Sequence, residues 1–158
     1  MASFNQKLRT LRLMEILLER TDDTHMLNAS ELCTILDQEY GISTDRRTIY
    51  TEMEVLDKFG LDIQQKKGKC PGYYIGARDF ELPELKLLVD AVQSSKFITE
   101  KKSKELIQKL EKLCCKSDAD MLSKYVFIVN RPKTENETVY YNVDYIHNAI
   151  FENKEIRF

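Results

Sequence analysis

The chain has 158 residues, which is enough for one ordinary domain or two small ones and excludes three. Apolar residues make up 42% and charged residues 32%, a globular composition that argues against a disordered or membrane-embedded chain. The net charge of −2 excludes a positive field over the whole molecule, so any attraction to nucleic acid must be local.

The N-terminus and the cysteines indicate the compartment. The chain begins with an amphipathic helical pattern and not a secretory signal, so we expect a cytoplasmic protein with no membrane partner. Cys33, Cys70, Cys114 and Cys115 have neither the paired spacing of a zinc site nor the density of a disulfide scaffold, so we expect reduced thiols. The adjacent pair 114–115 also allows a vicinal dithiol or metal ligand, but a structural role is favoured because Cys114 falls on an apolar helical stripe. We expect no metal and no cofactor.

The first predicted helix extends from Phe4 to Leu18 and is apolar on more than one side. The stripe with three- and four-residue steps consists of Phe4, Leu8, Leu11, Met14 and Leu18. A second group, Leu13, Ile16 and Leu17, falls elsewhere on the helical wheel. We therefore expect this helix to lie between the core and something else, such as a partner subunit.

A short second helix follows. Asn28 and Glu31 have the spacing of a capping box at its start, and Gly41 is placed to end it. Between them, Leu32, Ile35 and Leu36 are predicted to face one way.

The third helix is predicted from about Thr44 to Phe59, with Ser43 as its N-cap. Ile49, Met53 and Leu56 form its buried stripe. The N-terminal half of its outward face is basic and polar, whereas Gly60 ends the helix.

A basic hairpin is predicted next. The run from Leu61 to Ile63 returns as Tyr73-Tyr74-Ile75 after a tip rich in lysine and glycine. Residues 1–62 carry seven basic and twelve acidic side chains, whereas residues 63–78 carry four basic side chains and no acidic one. These four are Lys66, Lys67, Lys69 and Arg78. Within residues 1–78, the net positive charge is thus in the hairpin segment.

Three helices followed by a basic two-stranded hairpin is the element order of a winged helix-turn-helix. Two residue motifs strengthen this interpretation. The helix motif is Asp45-Arg46-Arg47-Thr48-Ile49-Tyr50 followed by Glu52-Met53-Glu54 and Leu56, and the hairpin motif combines Gly60-Leu61-Asp62-Ile63 with Gly72-Tyr73-Tyr74-Ile75. Together they closely resemble the N-terminal domain of bacterial WYL-domain transcriptional regulators. The family usually carries an Arg-Asp pair where this chain has Thr51-Glu52, so one cationic DNA contact expected from the resemblance is absent.

The resemblance implies a winged helix-turn-helix domain over 1–78, whose recognition helix at about 44–59 enters the major groove of double-stranded DNA. The basic wing at 63–75 would contact the DNA backbone. Arginine can bond bidentately to guanine, while hydroxyls and lysines hold phosphates. The candidate DNA-binding residues are Ser43, Thr44, Arg46, Arg47, Thr48, Tyr50, Thr51, Lys66, Lys67 and Lys69. The alternative for the helix residues is an ordinary solvated face.

A helical connector with a β-strand is predicted over 79–138. Pro83 suits the first turn of a helix at 82–95 whose stripe is Leu85, Leu88, Val89 and Val92. Thr99 can cap a helix at 100–115 that bears Leu106, Ile107, Leu110, Leu113 and Cys114. A strand is expected from Tyr125 to Val129 and a polar loop from Arg131 to Thr138.

The last segment, 139–158, is predicted as a helix marked by Val143, Ile146 and Ile150, followed by a strand at Ile156-Arg157-Phe158. Tyr141-Asn142-Val143-Asp144, Ala149-Ile150 and this final strand resemble the lead-in helix and first strand of a WYL sensor domain, whose remaining strands are missing. The resemblance implies that the sensor is truncated and that its effector, of unknown identity, binds the missing part. Tyr140, Tyr141 and Tyr145 could stack on bases or pack between connector and sensor.

The expected fold is therefore mainly α with a small β component: a winged helix-turn-helix, a helical connector and a small β/helix segment. The expected function is a sequence-specific DNA-binding transcriptional regulator that forms a homodimer through the connector helices. A protein-interaction or dimerisation module without DNA binding is the alternative. No phosphate-binding glycine loop, HExxH motif or nucleophile motif indicates an enzyme.

Overall fold

The computed structural model describes residues 2–68, 71–126 and 133–157. In these ranges the chain is mainly helical and has one small antiparallel sheet, as predicted. The elements are α1 (Ala2–Arg20), α2 (Ala29–Tyr40), α3 (Arg46–Phe59), β1 (Ile63–Lys66), β2 (Gly72–Ile75), α4 (Leu82–Ser94), α5 (Glu100–Glu111), α6 (Lys116–Val126) and α7 (Thr138–Phe151). None of the helices in these ranges has the length and apolar character needed to span a bilayer.

The chain forms two compact units. The first contains the residues up to Glu81 together with Cys114–Ala119. The second contains Leu82–Leu113 and the chain from Asp120 onward.

The core of the first unit lies where α1, α2, α3 and β2 meet. Its buried apolar side chains are Leu13, Ile16, Leu17, Ala29, Leu32, Leu36, Ile49, Met53, Leu56 and Ile75. The predicted stripes of α2 and α3 are therefore confirmed, with Ile35 of α2 only partly buried.

Members of both predicted apolar groups of α1 pack in the core of the first unit, but to different depths, with Met14 and Leu18 of the first stripe partly buried against it. The fully buried residues are the second group, Leu13, Ile16 and Leu17, whereas Leu11 of the predicted stripe is 57% exposed. At about 100° per residue, Leu11 lies about 160° around the helix from Leu13, so Leu11 faces away from α2 and α3.

The capping box of α2 is confirmed. The side chain of Asn28 accepts hydrogen bonds from Ser30 N and Glu31 N, and the Glu31 carboxylate accepts one from Asn28 N. At the other end Gly41 has a φ of 63°, the left-handed conformation that glycine adopts without strain.

The predicted start of α3 is two residues too early. Asp45 is the N-cap in place of Ser43, and helical geometry begins at Arg46 in place of Thr44. Asp45 has an extended backbone and its carboxylate accepts a bond from Thr48 N at 2.9 Å, which satisfies one of the free amides of the first turn.

The hairpin pairs β1 with β2 in the register Ile63 opposite Ile75 and Lys66 opposite Gly72. On the other edge of β2, Leu27 forms a bridge with Tyr73. Gly72 is required there because a Cβ atom would lie 2.8 Å from Met26 Cβ.

In the second unit, α4 buries Leu85 and Val89, whereas Leu88 of the predicted stripe is exposed. Thr99 is the N-cap of α5, as predicted, and accepts a hydrogen bond from Lys102 N. The predicted 100–115 helix is shorter, because α5 ends at Glu111 and a separate helix, α6, begins at Lys116.

Two predicted strands are not found where the structure describes the residues. Tyr125 and Val126 are the last residues of α6, and 127–129 lie outside the described residues. The helix continues through this β-rich pair because extending an existing helix is favoured over forming an unpaired strand.

Residues 154–157 are irregular, since no described segment pairs with them, and Phe158 lies outside the described residues. Of the predicted 131–138 loop, residues 133–137 are described as loop and Thr138 begins α7.

Candidate nucleic-acid interface

The start of α3 is held by its own cap. Besides the bond from Thr48 N, the Asp45 carboxylate accepts a bond from the Thr48 hydroxyl at 3.3 Å. The backbone bond from Thr48 holds the pKa of Asp45 below its ordinary value, so the cap is charged at neutral pH. Thr48, a predicted phosphate ligand, thus has its hydroxyl engaged within the first turn.

Arg46 and Arg47 lie in the first turn of α3 and are exposed. Neither guanidinium forms an ion pair with any residue in the described ranges. Thr51, one turn further along, is also exposed and donates its hydroxyl to the carbonyl of Arg47 at 3.2 Å. The two arginines therefore present unpaired positive charge at one end of the helix.

Tyr50 connects this face to the hairpin. Its ring, which is half exposed, lies 6.4 Å from the ring of Tyr73 between centroids, with the planes tilted by 53°. The hydroxyl of Tyr73 accepts a bond from Gln65 Nε2 at 3.2 Å, across the β1–β2 pair. Burial raises the pKa of the Tyr73 phenol, so it remains neutral. Helix and hairpin thereby share one surface within the first unit.

The structure places two of the three predicted hairpin lysines. Lys66 and Lys67 are exposed, and Lys66 Nζ lies 3.5 Å from the carbonyl oxygen of Asp23. Lys69 and Cys70 lie outside the described residues. Arg78, counted with the hairpin in the sequence, has a structural role because its Nη2 donates to the carbonyl of Thr21 at 2.7 Å.

Ser43 and Thr44 precede the helix. Ser43 is exposed, whereas the Thr44 hydroxyl oxygen is buried and has no hydrogen-bond partner in the described part of the chain. Ser43 is therefore accessible to a ligand, while the Thr44 hydroxyl faces inward.

Sequence reasoning missed the role of Glu52. It is buried, and its carboxylate accepts a bond from Arg9 Nε of α1 at 2.7 Å. A signal was available, because Glu52 follows Ile49 by three residues and so falls beside the buried stripe. At the Thr51-Glu52 position, then, one residue is exposed and the other anchors α3 to α1.

The remaining candidate groups lie elsewhere. Tyr141 and Tyr145 are exposed on α7 of the second unit, and the side chain of Tyr140 lies outside the described part of the chain. Cys33, Cys114 and Cys115 are in the thiol form, the last two buried. Within the described ranges no group of three or more His, Cys, Asp or Glu side chains could hold a metal ion.

No protein-family model, curated protein or solved structure matches this chain. The interpretation of the surface formed by α3 and the hairpin therefore depends on its own residues and geometry.

Proposed function

We propose that the chain is a sequence-specific DNA-binding transcriptional regulator whose first 78 residues act as a winged helix-turn-helix of the WYL-regulator kind. In this proposal α3 enters the major groove and the hairpin lies on the backbone. The supporting observation is the Tyr50–Tyr73 ring contact, which joins the exposed, unpaired arginines of α3 to the lysine-bearing hairpin. Such a function requires no catalytic group, metal or cofactor.

Arg46 and Arg47 are the proposed base-reading residues. Each guanidinium is exposed and without an ion pair in the described residues, so it can bond to the O6 and N7 edge of guanine without giving up an internal partner. Tyr50 and Thr51 border them on the same outward face and are proposed to bind backbone or sugar.

Lys66, Lys67 and Lys69 are proposed to neutralise phosphates. Among the described residues, Lys66 has one long contact, to a carbonyl oxygen, and no ion pair that its ammonium would have to break to reach a phosphate. Phosphate contacts contribute affinity and salt dependence and do not read sequence.

The charge distribution supports one binding orientation. Since residues 1–62 carry an excess of acidic side chains, most of the first unit repels a polyanion. The basic hairpin and the first turn of α3 are the places where that repulsion is reversed. Within the first unit, the duplex is therefore expected to approach this surface.

The test is a fluorescence-anisotropy titration of the protein against duplex fragments at two salt concentrations. We expect the wild type to bind with an affinity that falls as salt rises, and the double variant Arg46→Ala/Arg47→Ala to lose preference among fragments. The matched control is Lys58→Ala, which removes one exposed cation from the same helix about 18 Å away along its axis. Salt-independent or absent binding by the wild type would overturn the proposal.

A protein-interaction or dimerisation module is the second candidate. It is favoured by the large apolar side chains that the second unit exposes, such as Leu87, Phe97 and Phe151, the last 89% exposed. If the anisotropy titration showed no DNA binding while light scattering showed self-association, this candidate would replace the first. Self-association alone does not distinguish the two candidates, because we propose that the regulator also binds DNA as a homodimer.

A further inference from the structure

The loop between α1 and α2 supports the hairpin through backbone and side-chain bonds. At its start, the Thr21 hydroxyl accepts a bond from Ile75 N at 3.2 Å, inside the core. At its end, Leu27 and Tyr73 exchange two backbone hydrogen bonds of 3.1 and 2.8 Å. In between lies the carbonyl of Asp23, which is 3.5 Å from Lys66 Nζ. The position of the hairpin therefore depends on the shape of this loop.

Asp22 bonds across the loop through both carboxylate oxygens, and His25 Nδ1 lies near both of them, 3.0 Å from Oδ1 and 2.8 Å from Oδ2. Oδ1 accepts bonds from Thr24 N at 2.8 Å, from the Thr24 hydroxyl at 2.6 Å and from His25 N at 2.7 Å, which closes the turn. Oδ2 also accepts a bond from Cys115 Sγ at 3.4 Å. Burial opposes ionisation, but the bonds from Thr24 and His25 outweigh it and hold the pKa of Asp22 well below its usual range.

Cys115 comes from a distant part of the sequence, yet Cys114–Ala119 belongs to the same compact unit as the hairpin. Its side chain is 1% exposed. Burial raises the pKa of the Cys115 thiol, so the sulfur keeps its proton and can donate it to the charged Asp22. Cys115 is thus bonded to the loop that carries the hairpin.

We propose that Asp22 is a positioning residue of the DNA-binding hairpin and that Cys115 anchors it through Oδ2. The anchored loop determines where Lys66 and Lys67 lie relative to the arginines of α3, and hence which phosphates they reach. The inference rests on the proposed DNA-binding function, because the lysines are assigned there as phosphate ligands. It adds that Cys115, outside the 1–78 segment, helps to position the hairpin.

The test compares four single variants. Asp22→Asn keeps an acceptor for the three Oδ1 bonds and removes the charged acceptor at Oδ2, and Cys115→Ala removes the thiol donor. Cys115→Ser restores a donor at that position. Cys114→Ala is the matched control, because it truncates the adjacent buried cysteine of the same segment and leaves the Cys115 thiol in place.

Two readouts are measured on each full-length variant. The first is hydrogen exchange of the Leu27 and Tyr73 amides, which needs no DNA. We expect exchange about three- to tenfold faster in Asp22→Asn and Cys115→Ala, as when one intramolecular hydrogen bond is removed, and near the wild-type rate in Cys115→Ser and Cys114→Ala. The second is the salt dependence of duplex binding, whose slope should fall in the same two variants by about one for each phosphate that the protein no longer neutralises.

The outcomes separate the inference from the function on which it rests. If the wild type binds duplex with a measurable salt slope but Cys115→Ala and Cys114→Ala give equal exchange rates and equal slopes, the positioning inference is overturned. If Asp22→Asn and Cys115→Ala accelerate exchange at Leu27 and Tyr73 but the wild type shows no salt-sensitive binding, the anchor is supported and the DNA-binding function fails.

Discussion

Arg47 and Ile49 lie two residues apart on α3 and illustrate how the helix separates its two roles. Ile49 is fully buried in the core of the first unit, whereas Arg47 is exposed and unpaired among the described residues. Substitutions at the two positions should therefore affect different measurements.

We predict that Ile49→Ala lowers the free energy of unfolding by about 2–5 kcal/mol, because it removes packed apolar atoms and leaves a cavity. Arg47→Ala should change it by less than about 0.5 kcal/mol, as for an exposed residue without special contacts. Urea denaturation of both variants measures the difference. Equal destabilisation by the two substitutions would show that the faces of α3 are wrongly assigned.

The free energy of unfolding should depend on pH through Asp22, and the direction of its pKa shift gives the sign of that dependence. Its pKa is lower in the folded protein than its ordinary value of 3.8, so the unfolded chain takes up the proton first as the pH falls. The stabilisation from this group is therefore complete above about pH 5 and is lost as the pH falls below about 4. Urea unfolding at a series of pH values should show a steeper loss of stability on acidification in the wild type than in Asp22→Asn. Identical slopes would contradict the assignment.

At the residue scale, the sequence predicted the buried side chains correctly where a single local pattern determines burial. It failed where burial or bonding depends on residues far away in the chain. The buried stripe of α3 was predictable because one face of that helix is apolar. On α1 both faces are apolar, and the choice of Leu13 over Leu11 depends on where α2 and α3 pack. The Asp22–Cys115 bond joins residues far apart in the chain and has no local signal.

At the scale of elements, caps decided which boundaries could be predicted. Asn28 with Glu31, and Thr99, are isolated capping signals, and both were found as predicted. The run Ser43-Thr44-Asp45 contains three residues able to cap, and only the geometry of α3 shows that Asp45 does so. The strands predicted at 125–129 and 156–158 were not found in the described residues, since a strand requires a partner that no local pattern names, whereas the two strands of the hairpin at 63–75 pair with each other.

The hairpin is the element that should control salt dependence. We predict that replacing Lys66, Lys67 and Lys69 by alanine lowers the affinity for specific and random duplex by nearly the same factor. The slope of log affinity against log salt should fall by about one for each phosphate left without its lysine, because fewer counterions are released on binding. Anisotropy titrations at several salt concentrations measure both quantities.

The matched comparison is the Arg46→Ala/Arg47→Ala variant, which should lose discrimination between sequences. A lysine variant that lost discrimination but kept its salt slope would show that the hairpin reads bases, contrary to its proposed role.

At the scale of the whole molecule, the second unit exposes apolar side chains that a monomer would leave in water. Leu87 and Leu88 are exposed on α4. We predict a homodimer that uses this helix, since closed twofold dimers are the commonest oligomers and exposed apolar patches mark interfaces.

Light scattering at micromolar concentration should give twice the chain mass for the wild type. Leu87→Glu/Leu88→Glu should give the mass of a single chain with an unchanged helical circular-dichroism signal, because exposed positions tolerate charge. A wild-type monomer would remove the dimer and, with it, the expectation of a palindromic binding site.

If the first turn of α3 and the hairpin bind duplex DNA as one surface, the protein must select particular sequences from a random duplex library. The selection is carried out in parallel with wild type, Arg47→Ala and Lys58→Ala. We expect wild type and Lys58→Ala to enrich the same short sequence and Arg47→Ala to relax the preference at one guanine position, which lowers discrimination there by about 1–3 kcal/mol. Enrichment of no sequence by the wild type, or an unchanged preference in Arg47→Ala, would contradict DNA recognition by this surface.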